Sequence, residues 1–542
     1  MSSRTKLGIF AAALLLRLLF VASVQDQIFF RHLQTEPLRY QTWATAIAAG
    51  RWAPSFPLDA GPGYPLFAGG VFKVAGPSLA AVAYLQAVLD ALSAVLAAIV
   101  LAGVASAGAG VAAGVLWGLF GPAIYYVGQL LPVTPLLFFL WACIALGAAP
   151  PRWLARRAAL RWLASGLGLA AAIAIRSEAA LIAPFFAAAV WRAEGRRWAL
   201  IALVPVVAYV GTMSALNFKG SPHWVPTTVG GGFNLGLGNE PGGDGVSPFL
   251  TAAQRSRADE IEARATGDVV LADRRFAIEA MHDAVAAPMR TLALACRKLL
   301  WLWHDRELPN TSDIDWERGQ SWLFRLPLVP IGFGVLVPLA LVGLSVRVRT
   351  PGSLWWVWAT GATGVATCLL AFSDSRLRAL LHPGVIGLAA LGVLEVPGVL
   401  RELRQGQQRA LAVAAAALGA IALCNANVLG VRAYRIPQID FNTGELEELA
   451  GNHDAAVKRF RLTLATTPGD VTAWLTLARV LLAQGCAAQA ETTLAAAARR
   501  PGVPGVVLRA LDDVRRRRAT DDASTDAPPG DSERCRIPEG GP

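Results

Sequence analysis

The chain has 542 residues, of which 54% are hydrophobic and 16% charged, against about 25% charged residues in an average soluble domain. With a mean hydropathy of +0.46, this composition excludes an ordinary soluble protein. The net charge of +11 is compatible with nucleic acid or anionic lipid as a partner, so its distribution along the chain decides how it is interpreted.

Long apolar runs predict about eleven transmembrane helices, because a helix needs roughly 20 apolar residues to cross a bilayer. The first run is not a cleaved signal, since Arg17 interrupts its apolar centre and no cleavage site follows. The fifth and sixth runs are short and flank Arg176, so they are either two spans or one broken pair. The predicted spans are 7–24, 77–103, 108–127, 129–148, 162–176, 178–191, 198–217, 323–345, 354–372, 379–395 and 410–430.

The basic residues set the orientation of these spans. With eleven spans, five basic segments all fall on one side, and short basic loops mark the cytoplasmic side. The five segments hold 14 Lys and Arg residues against three acids, which accounts for the whole net charge. The charge is therefore a topology signal and does not indicate nucleic acid. The basic segments are the N-terminus, 150–161, 192–197, 346–352 and 395–409.

The outward side then receives two long segments, 25–76 and 218–322, and everything after residue 430. The expected fold class is all-α: a polytopic membrane protein with a small C-terminal helical domain. We expect it in the bacterial cytoplasmic membrane, with the N-terminus cytoplasmic and the C-terminal domain periplasmic. The predicted parts are a membrane-embedded domain (1–430), a helical domain (431–514) and a disordered, Asp-, Pro- and Gly-rich tail (515–542).

The polar helical segment 441–505 contains a repeat. Three pairs of small or apolar residues are separated by 34 residues: Gly451 and Gly485, Ala456 and Ala490, Phe460 and Leu494. This is the period of the tetratricopeptide repeat. Two units bury little surface by themselves, so we expect them to contact the membrane domain or a protein partner. The alternative is an incidental helical hairpin.

The cysteines give no sign of a structural cross-link. They show neither CxxC nor Cys/His spacing, and three of them lie inside apolar runs, which argues against a disulfide framework and a zinc site. The six are Cys143, Cys296, Cys368, Cys424, Cys486 and Cys535.

An amphipathic helix is predicted near the start of the first outward segment. A helical stripe runs from Tyr40 to Ala48, which places Glu36 and Arg39 at the N-terminal end of a helix on the membrane surface. The helix dipole favours an ionised carboxylate there, and this is the state required of a general base. The alternative is that Glu36 only caps the helix and pairs with Arg39.

These residues resemble the GT-C superfamily of integral-membrane glycosyltransferases, which includes aminoarabinose transferases and protein O-mannosyltransferases. The resemblance implies that Glu36 is the catalytic residue, although Asp is commoner at that place. Asp26, at the end of the first span, is the competing candidate. The matching pattern is the acid, then Arg39-Tyr40, Trp43-Ala44 and Ala49-Gly50, and finally Gly63-Tyr64-Pro65 before the second span.

Three later segments resemble the superfamily in the same order. Segment 231–245 resembles its Gly-rich outward loop, although such Gly density by itself indicates only a flexible loop. Segment 298–310 resembles a Lys- and Leu-rich amphipathic helix followed by a Pro-Asn turn. Segment 375–378, followed by His382-Pro383, resembles an Arg-x-Arg motif before a late span.

Arginines at the outward ends of the spans are the candidate phosphate ligands. A charge inside a membrane costs at least about 2.5–3.5 kcal/mol, so such residues usually face a polar cavity or a partner, and guanidinium groups bind phosphate bidentately. The alternative is that each side chain snorkels to the interface. Arg17, in the middle of its span, is expected to be a buried structural ion-pair partner.

The resemblance implies a polyprenyl-phosphate-linked sugar as donor. Its phosphate would meet Arg376 and Arg378, with Arg176 as a third ligand, while Glu36 accepts the proton of the acceptor hydroxyl. The sequence does not decide whether a divalent metal, Mg²⁺ or Mn²⁺, takes part, and one acid among glycines is a weak ligand set. Further contacts to the sugar or acceptor are expected from Arg39, Tyr40, Asp59, Tyr64, Asn239 and Asp244.

Two other classes of function compete with a transferase. A transporter or flippase of lipid-linked sugars would show repeated hydropathy and broken helices at the midplane, and the chain has no such symmetry. A non-catalytic assembly protein that presents the repeats would need no acid and Arg residues in its outward segments. This chain has them, which favours the transferase.

Overall fold

The computed structural model describes the chain as a helical protein. Its residues form helices and no β-strand within the described ranges, and an isolated backbone pairing joins Phe120 and Ile331. The predicted all-α class is therefore confirmed. The chain divides into a membrane-helix unit (1–310 with 314–433) and a C-terminal unit (311–313 with 434 onward). The described residues are 1–52, 54–326, 330–346, 351–427 and 430–523.

The first half of the membrane-helix unit contains long apolar helices and several short helices between them. Its helices are α1 (Ser3–Val24), α2 (Ile28–Arg31), α3 (Thr35–Ala48), α4 (Gly63–Ala75), α5 (Leu79–Val104), α6 (Ala107–Leu119), α7 (Gly121–Val127), α8 (Val133–Ala148), α9 (Arg152–Ala155), α10 (Ala158–Ile175), α11 (Ala183–Glu194) and α12 (Arg196–Asn217). The predicted amphipathic helix at Glu36 is α3, which packs on α4.

The second half begins with the helices of the long loop and returns to apolar helices from α18 onward. Its helices are α13 (Gly231–Asn239), α14 (Ala252–Arg264), α15 (Val269–Ala286), α16 (Pro288–Leu302), α17 (Ile314–Gly319), α18 (Phe333–Leu344), α19 (Trp355–Leu370), α20 (Ser375–Arg378), α21 (His382–Arg404) and α22 (Gln408–Asn425). Short 3-10 turns lie at Ser177–Ile182, Trp322–Arg325, Pro351–Leu354, Ala379–Leu381 and Val431–Ala433.

Several helices are suited to cross a membrane. Among the described residues, six helical stretches are long and apolar enough: α1, α5, α10, α12, α22 and the stretch Ser375–Arg404 that contains α20 and α21. The chain is therefore a multi-pass membrane protein. Helices α6, α8 and α18 are apolar but shorter, so the count of eleven spans stays a prediction. Arg347 and Arg349 of the basic segment 346–352 lie outside the described residues.

A buried ion pair joins α1, α5 and α6. The Nε of Arg17 donates to Asp90 Oδ2 at 2.7 Å, and its Nη2 donates to the Trp117 carbonyl at 3.0 Å. The Trp117 indole donates to the other Asp90 oxygen at 3.1 Å. The structural role expected of Arg17 is confirmed. The sequence pattern does not identify Asp90 as the partner of Arg17, because Asp90 lies inside another apolar run, 73 residues from Arg17.

Two glycines let the first outward segment approach the end of α10. A Cβ atom on Gly61 would lie 2.5 Å from the Ala174 carbonyl oxygen, and one on Gly63 would lie 2.8 Å from the Ala174 carbonyl carbon. Both distances are far inside van der Waals contact, so a side chain there would push the two segments apart. Helix α10 ends before Arg176, whose backbone is extended. The predicted fifth and sixth runs are thus two helices separated by a 3-10 turn.

The C-terminal unit consists of paired helices around one apolar core. Gly451 and Gly485 both have positive φ, at 80° and 78°, so each ends the first helix of its pair at an equivalent position. Ala456 and Ala490, one per repeat, are both fully buried. The predicted 34-residue repeat is therefore confirmed. The helices are α23 (Pro437–Leu449), α24 (His453–Thr466), α25 (Val471–Ala483), α26 (Ala487–Ala498) and α27 (Gly505–Ala523).

The end of the repeat domain differs from the prediction. Helix α27 continues to Ala523, although the sequence predicted disorder from residue 515. Leu511 and Val514 pack into the core of the unit, and Arg515 and Arg518 pair with Glu491 at 3.0 and 2.5 Å. These contacts stabilise the basic end of the helix. The remainder of the predicted tail, 524–542, lies outside the described residues.

The cysteines differ in state. Cys143, Cys368 and Cys424 are free and buried, and Cys296 is free and exposed. Cys486 is buried in the core of the C-terminal unit. Cys535 lies outside the described residues.

Candidate active site

Glu36 lies in the first turn of α3 and is four-fifths buried. Its Oε2 accepts a hydrogen bond from Arg376 Nη1, and its Oε1 lies 3.4 Å from Arg39 Nη2. Arg376 and Glu36 are 340 positions apart in the sequence, so the fold brings together two predicted site residues from distant segments. Two guanidinium groups favour the ionised carboxylate.

Arg376 connects Glu36 to a second polar side chain. Its Nη2 donates to Asn310 Oδ1 at 2.6 Å, and its Nε lies 3.9 Å from Asp374 Oδ2. Arg376 Nε, Asn310 Nδ2 and Asp374 Oδ2 are all buried without a hydrogen-bond partner in the described part of the chain. Buried polar atoms are rarely left unpaired. Two donors and one acceptor beside the Glu36 ion pair therefore mark a place where a polar ligand can bind.

Asp374 sits at the N-terminus of α20. Its Oδ1 accepts a hydrogen bond from the Leu377 amide at 2.7 Å, which caps the short helix that carries Arg376. Burial raises the pKa of Asp374 to about 7. This carboxyl group consequently changes its charge near neutral pH, next to the arginine that contacts Glu36.

Arg39 connects Glu36 to the next part of the outward segment. Its Nη1 donates to Asp59 Oδ2 at 2.9 Å, and its guanidinium lies 5.1 Å from the Trp43 ring centroid. Asp59 is half exposed. The predicted ligands Arg39 and Asp59 thus lie together beside Glu36.

Tyr40 and Tyr64 form the apolar side of this region. Their rings meet edge to face with centroids 5.0 Å apart, and both are buried. The Tyr64 hydroxyl donates to Gln86 Oε1 at 3.2 Å. Burial raises the pKa of Tyr40, while the charges of Arg39 and Arg176 act to lower it. The two tyrosines support α3 and α4 from within, whereas the sequence predicted contacts to a ligand.

Arg176 directly follows α10, a helix that contacts α4. Its Nε donates to Glu178 Oε1 at 2.9 Å, and both side chains are largely buried. Its positive charge acts to lower the pKa of Tyr40 and of Asp374. Arg176 is therefore part of the cluster, with Glu178 as a partner that the sequence analysis did not assign to the site.

Arg378 lies in a different environment from Arg376. Its guanidinium is fully buried, pairs with Glu307 and donates to the His304 carbonyl at 2.7 Å. It also lies 4.0 Å from the centroid of the Phe333 ring. These contacts of Arg378 hold α20 in place. They are made to residues other than Glu36.

Asn239 and Asp244 in the Gly-rich loop make structural contacts. Asn239 donates to the Leu370 carbonyl at 2.6 Å and accepts from Lys298 Nζ at 2.9 Å. Asp244 Oδ1 accepts from the Val246 and Ser247 amides, both at 2.8 Å, and so closes a turn. The structure does not bring these two predicted ligands to Glu36.

Asp26, the competing base, is highly exposed and pairs with Arg31. It has no contact with Glu36 or Arg376 in the described structure. Within the described residues no three His, Cys, Asp or Glu side chains lie close enough to hold a metal ion. A requirement for Mg²⁺ or Mn²⁺ stays a prediction.

Sequence reasoning missed three members of the cluster: Asp374, Asn310 and Glu178. Asp374 directly precedes the Arg-x-Arg motif, and Asn310 ends the segment 298–310, so both stood beside motifs that had been recognised. The position of Asp374 and Asn310 at these motifs was the only feature of the sequence that indicated a place in the site. The roles of all cluster residues in catalysis stay predictions.

Comparisons with known proteins show similarity to a repeat family and to a solved structure. A family model for the tetratricopeptide repeat matches residues 449–501. The solved structure of the archaeal oligosaccharyltransferase AglB from Archaeoglobus fulgidus, in complex with an inhibitory peptide and a dolichol-phosphate, is similar over 77% of this chain and 54% of its own, with a TM-score of 0.40 and 11% identity. This chain thus spans about half the length of that protein. No curated protein matches the sequence. Residues 449–501 are therefore a tetratricopeptide-repeat segment.

Proposed function

We propose that the chain is a glycosyltransferase that moves a sugar from a polyprenyl-phosphate-linked donor to a lipid, glycan or protein acceptor. The observation that carries this proposal is the direct contact between Glu36 and Arg376, surrounded by unpaired buried atoms of Asn310 and Asp374. A carboxylate beside an arginine with free donor capacity provides a base for the acceptor and a cation for the donor phosphate.

The donor phosphate would bind at Arg376. Guanidinium groups bind phosphate through two parallel hydrogen bonds, so a bound phosphate would compete with Glu36 for the donors of Arg376. Its arrival would release Glu36 from its strongest partner and leave the carboxylate free to accept a proton. Arg176 is the second candidate cation. Arg378 would act indirectly by positioning α20.

The proposed reaction is a single displacement. The acceptor oxygen attacks the anomeric carbon while its proton moves to Glu36, and the bond from this carbon to the phosphate oxygen breaks, with its electron pair on the phosphate. The products are the glycosylated acceptor, with inverted configuration, and polyprenyl phosphate. The phosphate leaves as a stable anion beside Arg376, so no separate general acid is required.

The orientation and partners belong to the same proposal. The five basic segments support a position of Glu36, Arg176 and Arg376 on the periplasmic face of a bacterial cytoplasmic membrane. The tetratricopeptide repeats would bind an acceptor protein or an assembly partner, because stacked helix pairs of this kind form extended binding surfaces.

A transfer assay with rival outcomes tests the proposal. Purified full-length protein in lipid nanodiscs is incubated with a panel of polyprenyl-phosphate-linked sugars and an envelope extract as acceptor source. We expect free polyprenyl phosphate and a glycosylated product to appear in equal amounts. Intact donor in this assay, combined with its movement across the bilayer in proteoliposomes, would contradict the proposal and identify a flippase. Intact donor without movement would also contradict it, in favour of an assembly protein.

A further inference from the structure

The long outward loop exposes an unusual apolar surface on α15 and α16. Five large side chains on these helices are between 55% and 82% exposed. On each helix they follow helical spacing and so share one face. We call this surface the apolar ridge; it consists of Ile278, Met281 and Val285 on α15 and Met289 and Leu292 on α16.

The carboxylates of α15 are engaged elsewhere. Asp273 accepts a hydrogen bond from the Phe233 amide at 2.8 Å. Glu279 and Asp283 both pair with Arg257, at 2.8 and 2.6 Å. These partners belong to α13 and α14, which pack on α15, so the acids face the interior of the loop domain.

The charges left beside the ridge are basic. Arg274 and Arg275 are exposed, and so is His282. Residues 284–304 contain no Asp or Glu. An apolar face flanked by basic side chains is typical of helices that lie in the interface of a membrane with anionic lipids.

The ends of the loop are fixed near one end of the apolar helices. The loop begins where α12 ends at Asn217. At its other end, Lys298 of α16 donates to the carbonyls of Leu369 and Ala371, at 2.9 and 2.6 Å, which are the last residues of α19 and its C-cap. The loop that carries the ridge is therefore anchored at both of its ends to the ends of apolar helices.

We propose that the apolar ridge lies in the headgroup region of the adjacent leaflet, with Arg274 and Arg275 at the phosphates of anionic lipids. A lipid surface fits both features of this region: the apolar side chains match its hydrocarbon boundary, and the flanking basic side chains match its phosphates. This inference concerns how the loop is held and does not depend on the proposed sugar transfer.

Fluorescence quenching of a labelled residue tests the contact. The full chain carries Cys296→Ser, because Cys296 is the exposed free cysteine among those described. Met289→Cys then places an environment-sensitive label on the ridge, and Glu260→Cys places it on the exposed surface of α14 as a matched control. Each protein is reconstituted in nanodiscs of phosphatidylcholine and phosphatidylglycerol.

We expect spin-labelled lipid to quench the label at position 289 and iodide to lose its effect there, with the reverse at position 260. Equal iodide quenching at both positions would overturn the proposal. Protection of position 289 from both quenchers would overturn it in favour of a protein contact.

The arginines are tested in the same system. In the Met289→Cys protein, lipid quenching is expected to rise with the phosphatidylglycerol fraction. Adding Arg274→Gln and Arg275→Gln should remove this dependence. The same dependence with and without the arginines would overturn their assignment to lipid phosphates.

Discussion

At the scale of single residues, Arg376 connects Glu36 to Asn310. It holds Glu36 through Nη1 and Asn310 through Nη2, and its Nε has no hydrogen-bond partner among the described residues. A base that is held by an arginine is a weak proton acceptor until another anion takes the arginine. In the proposed mechanism this anion is the donor phosphate, so the resting ion pair would link donor binding to activation of the base.

Arg376→Lys should weaken binding of polyprenyl phosphate by about tenfold or more, because lysine keeps the charge and loses the bidentate geometry. Titration of the purified variant with polyprenyl phosphate measures this effect. Arg31→Lys, at an exposed ion pair, is the control and should bind as the unsubstituted protein does. Unchanged affinity of Arg376→Lys would remove this residue from the phosphate site.

Asp374 predicts a pH dependence of stability. Its pKa is about 7 in the folded chain against an ordinary value of 3.8, so the folded state holds more protons between these two values. Its contribution to stability is therefore fully present below about pH 4 and is lost as the pH rises through about 7. Asp374→Asn keeps a capping oxygen but does not titrate.

Thermal unfolding in detergent measures this effect between about pH 5 and about pH 8. The difference in Tm between the unsubstituted protein and Asp374→Asn should fall steadily as the pH rises. Parallel Tm curves over this range would show that Asp374 does not titrate there.

The sequence identified Glu36, Arg39 and Arg376 because each lies in a recognisable pattern beside an apolar run. It did not identify Asp374 or Asn310, because a cap and an amide carry no composition signal. It also ranked Arg378 with Arg376. Whether an arginine faces a ligand or a buried partner such as Glu307 depends on contacts between distant segments.

At the scale of helices, the contact between the first outward segment and α10 positions α3. Gly61 and Gly63 allow this contact because their backbones lie against Ala174 and Ile175. Because α3 packs on α4, this contact also brings α3 towards the end of α10, where Arg176 lies. The sequence analysis placed Gly63 in a family motif, and the structure adds its physical reason, which is close backbone approach.

Gly63→Ala should destabilise the protein by about 1–3 kcal/mol, since the added Cβ overpacks the contact with Ala174. Gly70→Ala is the matched control in the same helix, because a Cβ there meets nothing within 4 Å, and alanine favours helices over glycine. Chemical unfolding of both variants measures the difference. Equal stability of the two variants would contradict the proposed packing.

The ion pair between Arg17 and Asp90 makes a second prediction for the helices. Asp90→Ala leaves the buried Arg17 without its partner and should cost about 3–5 kcal/mol. Asp26→Ala breaks an exposed pair with Arg31 and should cost about 1 kcal/mol or less. The two losses are compared by thermal unfolding, and similar values would show that Arg17 does not rely on Asp90.

At the scale of the whole molecule, most correct predictions came from two sequence patterns. Apolar runs identified the long membrane helices, and the 34-residue period identified the repeats. The number of spans is harder to infer, because helices such as α6 and α18 are shorter than a bilayer requires. The family resemblance predicted that Glu36 and Arg376 share one site, but it did not predict that the two side chains form a direct ion pair.

The distribution of charge connects topology to function. The basic residues that produce the net charge lie in the segments predicted to face the cytoplasm, and the charges of the remaining residues balance. Glu36, Arg176 and Arg376 belong to this balanced remainder, so their role rests on local contacts and not on the net charge. In the proposed mechanism this cluster performs sugar transfer, with Glu36 as the base.

The most direct test is the rate of sugar transfer by Glu36→Gln under saturating donor. The amide keeps the size of the side chain but does not accept the proton, so kcat should fall by about 10²–10⁴-fold while binding of polyprenyl phosphate persists. Glu36→Asp should retain measurable transfer, and Asp26→Asn should transfer at the unsubstituted rate. Transfer by Glu36→Gln at the unsubstituted rate would show that Glu36 is not the base.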